Sequence, residues 1–265
     1  MWARIGTLIV ITIAACYSPS PSAGAPCGPG GTCPEGLRCS VENLCVDPAT
    51  PDPDGPPPIV DGPPDAPRKR WRIVQTEGAI GNDVTIAPTL GGTTLVVGIE
   101  TSSADTVDSL TDDANNNYEL IPESRAINTG ENGIEIWMAK AASDGATKLI
   151  AIGPEITAIV VWEIENLAAV EVVDTLDDQG ASTSPTGVTI TTTAPGQFVV
   201  SILLVANTVT GLTPGSDFTN DHTTFGNGWA HLTDDDAPVG EYQPRWTQPM
   251  SGTSCASSVV FRTAD

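Results

Sequence analysis

The two histidines, His222 and His231, are the side chains whose chemistry would be easiest to use in this sequence. With Asp217, Asp221 or the acidic run 234–236, they could hold a metal ion or act as the base of a metal-assisted hydrolase. Their nine-residue separation is unlike the short intervals of most metal sites, and the segment is polar and glycine-rich. The sequence therefore favours solvent-exposed loop histidines. No nucleophile elbow, phosphate loop or dinucleotide fingerprint occurs, so we expect a protein that is not an enzyme, without catalytic or metal-binding residues.

Acidic turns are a second place where chemistry is conceivable. Asp112 and Asp113 precede three asparagines at 115–117, and further acidic pairs or runs occur at 177–178 and 234–236. Calcium takes six to eight oxygen ligands and could use such groups, but none has the spacing of an EF-hand. Asp and Asn also favour turns because their side chains bond nearby amides. We expect no cofactor, with calcium as the alternative.

Aromatic side chains could stack on sugar rings. Trp229, Tyr242 and Trp246 flank polar loops, which makes them the candidate ligand-binding residues. Packing at the core or its edge is the favoured interpretation for all three. Trp137 and Trp162 lie inside apolar runs and are expected in the core.

Four cysteines, Cys27, Cys33, Cys39 and Cys45, are separated by five residues each in a segment with almost no apolar side chains. In an exported chain this spacing indicates two disulfides, for which three pairings are possible. We favour Cys27–Cys39 with Cys33–Cys45. A zinc site is the alternative, although zinc ligands usually come in closer pairs. Cys255 is left over and is expected to be a buried free thiol.

The first fifteen residues have one early positive charge and an apolar stretch that is too short to span a bilayer, as in a secretory signal. The segment Ile13-Ala14-Ala15-Cys16 resembles the bacterial lipobox. The resemblance implies a signal peptide over 1–15 and a mature chain that begins at Cys16, with acyl chains such as palmitate anchoring it to the bilayer. Tyr17 in place of an Asp favours an outer-membrane lipoprotein, facing the periplasm or the surface. The alternative is an ordinary cleaved signal with an incidental cysteine.

Composition divides the remaining chain. A lipidated spacer (16–26) leads to the two-disulfide knob (27–46), followed by a disordered linker (47–70) rich in proline and aspartate. Residues 68–70 are basic and are interpreted as a cap on the next domain, with a protease site or a contact with anionic sugar as alternatives. The net charge of −22 argues against nucleic acid and against adsorption to anionic lipid.

Residues 71–265 carry apolar, β-branched runs about ten residues apart, which indicates an all-β antiparallel sandwich or barrel. Runs that are apolar on both sides should be central strands. In Ile134-Glu135-Ile136-Trp137-Met138 the inward residues are expected to be 134, 136 and 138. The strands are predicted at 72–75, 94–101, 118–122, 134–139, 147–152, 158–164, 171–176, 187–193, 198–205, 228–232, 241–247 and 255–262.

Two parts of the chain resemble known families. The run from Cys27 to Cys45 resembles the small disulfide knobs that follow lipoboxes in myxobacterial-type lipoproteins. Blocks across 85–262 resemble a jelly-roll-like β-sandwich module of secreted bacterial and phage-related proteins; the blocks are 94–101, 107–118, 134–140, 159–163, 196–200 and 240–246. The resemblance implies a surface module that binds or displays through adhesion, glycan contact or contact with an envelope protein. A purely structural envelope component is the alternative.

Overall fold

The computed structural model describes residues 24–40, 43–48, 69–223 and 226–264. The chain divides into two compact units, Met1–Ala66 and Pro67–Asp265. The predicted signal peptide, the lipidation site Cys16 and most of the predicted linker lie outside the described residues. Among the residues that are described, no helix has the length and apolar character needed to cross a bilayer.

All regular structure in the described residues is β-strand. The strands are β1 (Arg38–Cys39), β2 (Cys45–Val46), β3 (Arg72–Ile80), β4 (Asp83–Thr85), β5 (Thr94–Thr101), β6 (Ser109–Asp112), β7 (Glu119–Leu120), β8 (Ala126–Ile127), β9 (Gly133–Ala139), β10 (Lys148–Ile152), β11 (Ile156–Glu165), β12 (Leu167–Ser182), β13 (Ile190–Thr191), β14 (Phe198–Val205), β15 (Gly211–Leu212), β16 (Phe218–His222), β17 (Gly228–Leu232), β18 (Glu241–Tyr242), β19 (Trp246–Thr247) and β20 (Gly252–Thr263).

The first unit contains the predicted knob. Strands β1 and β2 pair antiparallel, and disulfides join Cys27 to Cys39 and Cys33 to Cys45. The favoured pairing is therefore confirmed. The sulfur atoms of Cys27, Cys33 and Cys39 lie close together, but each belongs to a disulfide, so the zinc alternative loses its thiolate ligands.

The second unit, which we call the head, is an antiparallel β-sandwich, as the sequence predicts. Its front sheet has the strand order β3-β11-β5-β9-β7, with β8 also paired to β9. Its back sheet has the order β12-β20-β14-β17-β16. Buried side chains of both sheets form one central core between them, with Val160 and Trp162 from the front sheet and Val200 and Phe261 from the back sheet.

Both sheets are also covered on their outer faces, which explains the runs that are apolar on both sides. The outer face of the front sheet packs on a three-stranded cover sheet, β4-β10-β6, with Leu149 and Val97 in the shared cluster. The outer face of the back sheet is covered by the short pairs β13-β18 and β15-β19, with Trp246 and Leu203 in a third cluster. The head therefore has four layers where the sequence predicts a two-sheet sandwich.

The strands of the head agree in part with those predicted from the sequence. The bounds predicted for β5, β14 and β17 agree with the structure. In β9, Ile134, Ile136 and Met138 face the central core, while Trp137 faces the cover sheet. The sequence predicts only residues 171–176 of the long edge strand β12, because the second half of this strand, which is rich in acidic and small residues, has no apolar pattern. It is held by pairing with β20 through several bulges.

Ion pairs at the surface join the start of the head to later segments of the chain. Arg70 bonds Asp235 at 2.7 Å and Asp236 at 2.9 Å, and Arg72 pairs with Glu165 at 2.6 Å. This geometry supports the interpretation of Arg70 as a cap on the domain edge. Asn166, with a positive φ of 64°, lets the chain turn from β11 in the front sheet to β12 in the back sheet.

Candidate functional site

The three aromatic residues predicted as candidate ligand contacts are buried. The prediction that they form an exposed surface for stacking on sugar rings is therefore wrong. Trp229 and Trp246 are fully covered, and Tyr242 is 9% exposed. Trp229 lies in the central core, because β17 pairs with strands on both sides and both of its faces are covered. Tyr242 and Trp246 pack on the outer face of the back sheet. The favoured interpretation, packing, is the one the structure bears out, and Trp137 and Trp162 are buried as expected.

The prediction of solvent-exposed histidines is also wrong. His231 is only 9% exposed and lies in β17, with Trp71 edge-on to its ring and Phe198 stacked near it. His222 ends β16 and is half-buried, and burial lowers its pKa below the ordinary value. The polar residues around His222 are typical of a loop, but they form β16, the edge strand of the back sheet, and β17 lies next to it inside the sheet.

One aspartate organises this corner of the core. Asp221 Oδ1 lies 2.9 Å from His231 Nδ1, and Asp221 Oδ2 accepts a hydrogen bond of 2.8 Å from Trp162 Nε1. Asp221 sits at a bulge of β16, so its side chain turns into the sandwich. The carboxylate satisfies two ring nitrogens that would otherwise be buried without an acceptor, which is a packing role.

Two buried glutamates that the sequence analysis did not single out hold loops against the front sheet. Glu163 is fully buried and accepts bonds from the backbone N of Leu90 at 2.6 Å, Thr93 Oγ1 at 2.9 Å and Gln75 Nε2 at 2.5 Å. These three donors occupy the carboxylate, which holds the loop before β5 against the front sheet.

Glu135 holds the loop before β6 in the same way, by accepting hydrogen bonds. It accepts bonds from Val107 N, Trp137 Nε1 and Arg125 Nε, the last two at 3.1 Å. Burial raises the pKa of Glu135, and these three donors oppose the rise. Glu163 and Glu135 are thus structural residues. Each could be recognised in the sequence as an acidic residue inside an otherwise apolar strand.

Glu100 is the third buried glutamate, and its surroundings differ. Its side chain is 1% exposed and points between the two sheets, in the same inward row of β5 as Val96 and Gly98. Oε2 accepts a bond of 2.8 Å from Asn227 Nδ2, while Oε1 has no hydrogen-bond partner among the described residues. Asn227 is itself oriented, because its Oδ1 accepts the backbone N–H of Val205 at 2.8 Å.

A cleft opens at this end of the sandwich. Its volume is about 380 Å³, within the range of small-molecule sites. The residues that line it come from both sheets and the adjoining loops: Ile80, Glu100, Thr101, Ser102, Asn132, Thr157, Leu204, Val205, Ala206 and Asn227. A buried carboxyl group with one unused oxygen therefore lies in the wall of an open, partly aliphatic cleft.

The buried, low-polarity surroundings of Glu100 favour the neutral, protonated form of its carboxyl group. Burial raises the pKa of Glu100 from 4.5 to about 8, and the hydrogen bond from Asn227 opposes the rise.

Cys255, the predicted buried free thiol, is confirmed as free and fully buried. Burial, with the nearby carboxylates of Asp177, Glu100 and Asp178, raises the pKa of this thiol to about 12, so it is not a nucleophile at neutral pH.

The acidic residues at 112–113 serve the structure, within their own turn and between segments. Asp112 Oδ1 accepts the amides of Ala114 and Asn116, and Asp112 Oδ2 accepts Tyr118 Oη at 2.8 Å. Asp113 accepts the backbone N and hydroxyl of Thr147, which lower the pKa of Asp113 to about 2.

The other two acidic segments make mostly tertiary contacts. Asp177 and Asp178 accept the amides of Ile127 and Thr129, and Asp235 and Asp236 pair with Arg70. The turn interpretation therefore holds for Asp112 and for Asp234, whose Oδ1 accepts the amide of Asp236, while the other acidic residues bond distant parts of the chain.

Comparison with known proteins gives no family assignment: no family model, no curated protein and no solved structure matches the chain.

Proposed function

We propose that this chain is an exported outer-membrane lipoprotein, anchored through acylated Cys16, whose β-sandwich head is a non-enzymatic binding module. The sequence Ile13-Ala14-Ala15-Cys16 supports the anchor. The two knob disulfides support export, because disulfides form and persist in oxidising compartments. The acidic, proline-rich segment between knob and head would serve as a spacer from the bilayer.

The observation that carries the binding function is the end cleft. Elsewhere in the described head, the buried acids Glu163 and Glu135 are engaged by several donors each. At the cleft, Glu100 keeps an unused oxygen beside a space of about 380 Å³. Buried polar groups are normally paired, and an unpaired one that lines a cleft is a candidate ligand contact.

The anchor is tested by mass spectrometry of the native polypeptide and by fractionation of the cell envelope. We expect the mature chain to start at Cys16 with acyl chains attached, and Cys16→Ser to release the protein from the membrane. Ser18→Ala, two residues away, is the matched control and should leave the protein bound. An unmodified Cys16 in the native protein would overturn the anchor.

The binding module is tested with a glycan array and a panel of small charged and neutral solutes, using the full chain in detergent. The expected result is binding that Glu100→Gln weakens and Glu119→Gln, a change at an exposed site, does not. No binding by the wild-type chain to any member of either set would contradict the proposal and favour a purely structural envelope component.

A further inference from the structure

We propose, resting on the binding function above, that the end cleft is a site for a small alkylammonium ion, whose N–H groups donate to Glu100 and whose alkyl chain lies against the aliphatic wall. Three features support this site: the cleft, the unpaired Oε1 of Glu100, and the polar and aliphatic side chains that line the cleft.

The first step is the hydrogen-bonding capacity of Glu100. An ionised carboxylate accepts through both oxygens, and only Oε2 has a donor, from Asn227. The Val205–Asn227–Glu100 chain of hydrogen bonds fixes the carboxyl group in place. Because Oε1 is itself buried, a ligand donor at this oxygen completes its hydrogen bonding once the side chains that cover it move aside.

The second step is the charge of the ligand. Among the described residues that line the cleft, none is cationic. The whole chain carries a net charge of −22, which raises the local concentration of cations. Both features disfavour an anion, and a cation is the partner that most stabilises a buried carboxylate.

The third step is the shape and polarity of the walls. Leu204, Val205 and the exposed rim residue Ile80 give one aliphatic side. Thr101 and Asn132 give polar groups on the lining. This combination fits a polar head with a short alkyl chain. It fits a sugar ring less well, because the aromatic residues that would stack on a sugar are buried elsewhere.

Binding of a cation should then be coupled to proton release. Burial raises the pKa of Glu100 to about 8, so the free protein holds this carboxyl group largely protonated at pH 7. An ammonium ion binds the ionised form, and the proton leaves to solvent. Because the ionised fraction rises from roughly 1% at pH 6 to roughly 50% at pH 8, affinity should increase roughly 50-fold over that interval.

The test is calorimetric titration of the full chain in detergent with n-butylammonium, a probe that stays protonated between pH 6 and 8. We expect roughly 50-fold tighter binding at pH 8 than at pH 6. At pH 7, buffers of different ionisation enthalpy should report release of roughly 0.9 proton per ligand. Glu100→Gln should abolish the binding and the proton release, while Glu119→Gln should preserve both.

1-Butanol, with the same chain length and no charge, is the matched control ligand and should not bind. Equal binding of butanol, pH-independent binding of butylammonium, or unchanged binding by Glu100→Gln would each overturn the ammonium site. Wild-type titrations at the three pH values decide the question even if the variant fails to fold. If butylammonium does not bind while an array glycan does so in a Glu100-dependent way, the ammonium ligand fails and the binding function stands.

Discussion

Replacing Glu100 by Gln should stabilise the head at neutral and alkaline pH and leave its stability unchanged in acid. The glutamine keeps the size of the side chain. Its carbonyl can accept the bond from Asn227 Nδ2, as Oε2 does in the wild type at 2.8 Å. The variant therefore removes the ionisable group with little change in packing.

The magnitude follows from the difference in pKa between the folded and unfolded states. Burial raises the pKa of Glu100 from 4.5 to about 8, so the folded chain holds the proton more tightly. The stability of the wild type is then full below about pH 4.5 and falls as pH rises towards 8. One pKa unit corresponds to about 1.4 kcal/mol, so the total fall is on the order of 5 kcal/mol, of which about 3 kcal/mol has occurred at pH 7.

The assay is equilibrium unfolding in guanidinium chloride at pH 4, 7 and 9, followed by the fluorescence of the buried tryptophans of the head. The quantity of interest is the variant-minus-wild-type difference in the free energy of unfolding, because contributions from other titrating groups cancel in it. We expect a difference near zero at pH 4 and an increase of several kcal/mol by pH 9. A difference that does not change with pH would refute the assignment of Glu100 as a buried, largely protonated acid.

Three further predictions concern the other buried polar groups. Glu163→Ala should lower the free energy of unfolding by about 3 kcal/mol or more, because three buried donors lose their acceptor; chemical unfolding measures it. Asp221→Ala should cost on the order of 2–4 kcal/mol, since Trp162 Nε1 and the His231 ring lose their partner; the fluorescence of unfolding at neutral pH measures it. Cys255 should react with a maleimide only after the head unfolds, because the thiol is buried and its pKa is raised to about 12; peptide mapping by mass spectrometry locates the label.

Each of these three has a result that would contradict it. An Ala substitution at Glu163 or Asp221 that leaves stability within 0.5 kcal/mol of wild type, roughly the range for surface sites, would mean that the hydrogen bonds are not maintained in solution. Rapid labelling of Cys255 in the folded chain would mean that the centre of the sandwich opens readily. For the substitutions, Glu119→Gln is the control with an exposed side chain.

The sequence alone predicted the fold class and two disulfides among the four clustered cysteines, and the structure selected one of the three possible pairings. Runs such as Phe198–Val205 are apolar on both sides, and only a strand covered on both faces can bury every residue of such a run. The alternation in β9 assigned Ile134 and Ile136 to one face, because side chains in a strand alternate. The knob was predictable because a short segment that is poor in apolar residues has few ways to be stable other than by its disulfides.

Only the tertiary structure decided where the polar side chains lie. His231 and Trp229 lie in a strand that the sequence predicts, but the polar residues around it gave no sign that pairing with β14 and β16 buries both side chains. The cleft joins Glu100 and Asn227, which are far apart in the sequence and meet because the front and back sheets face each other. Hydrophobic periodicity is a local property and is visible in the sequence, whereas the partner of a buried carboxylate depends on how the sheets pack.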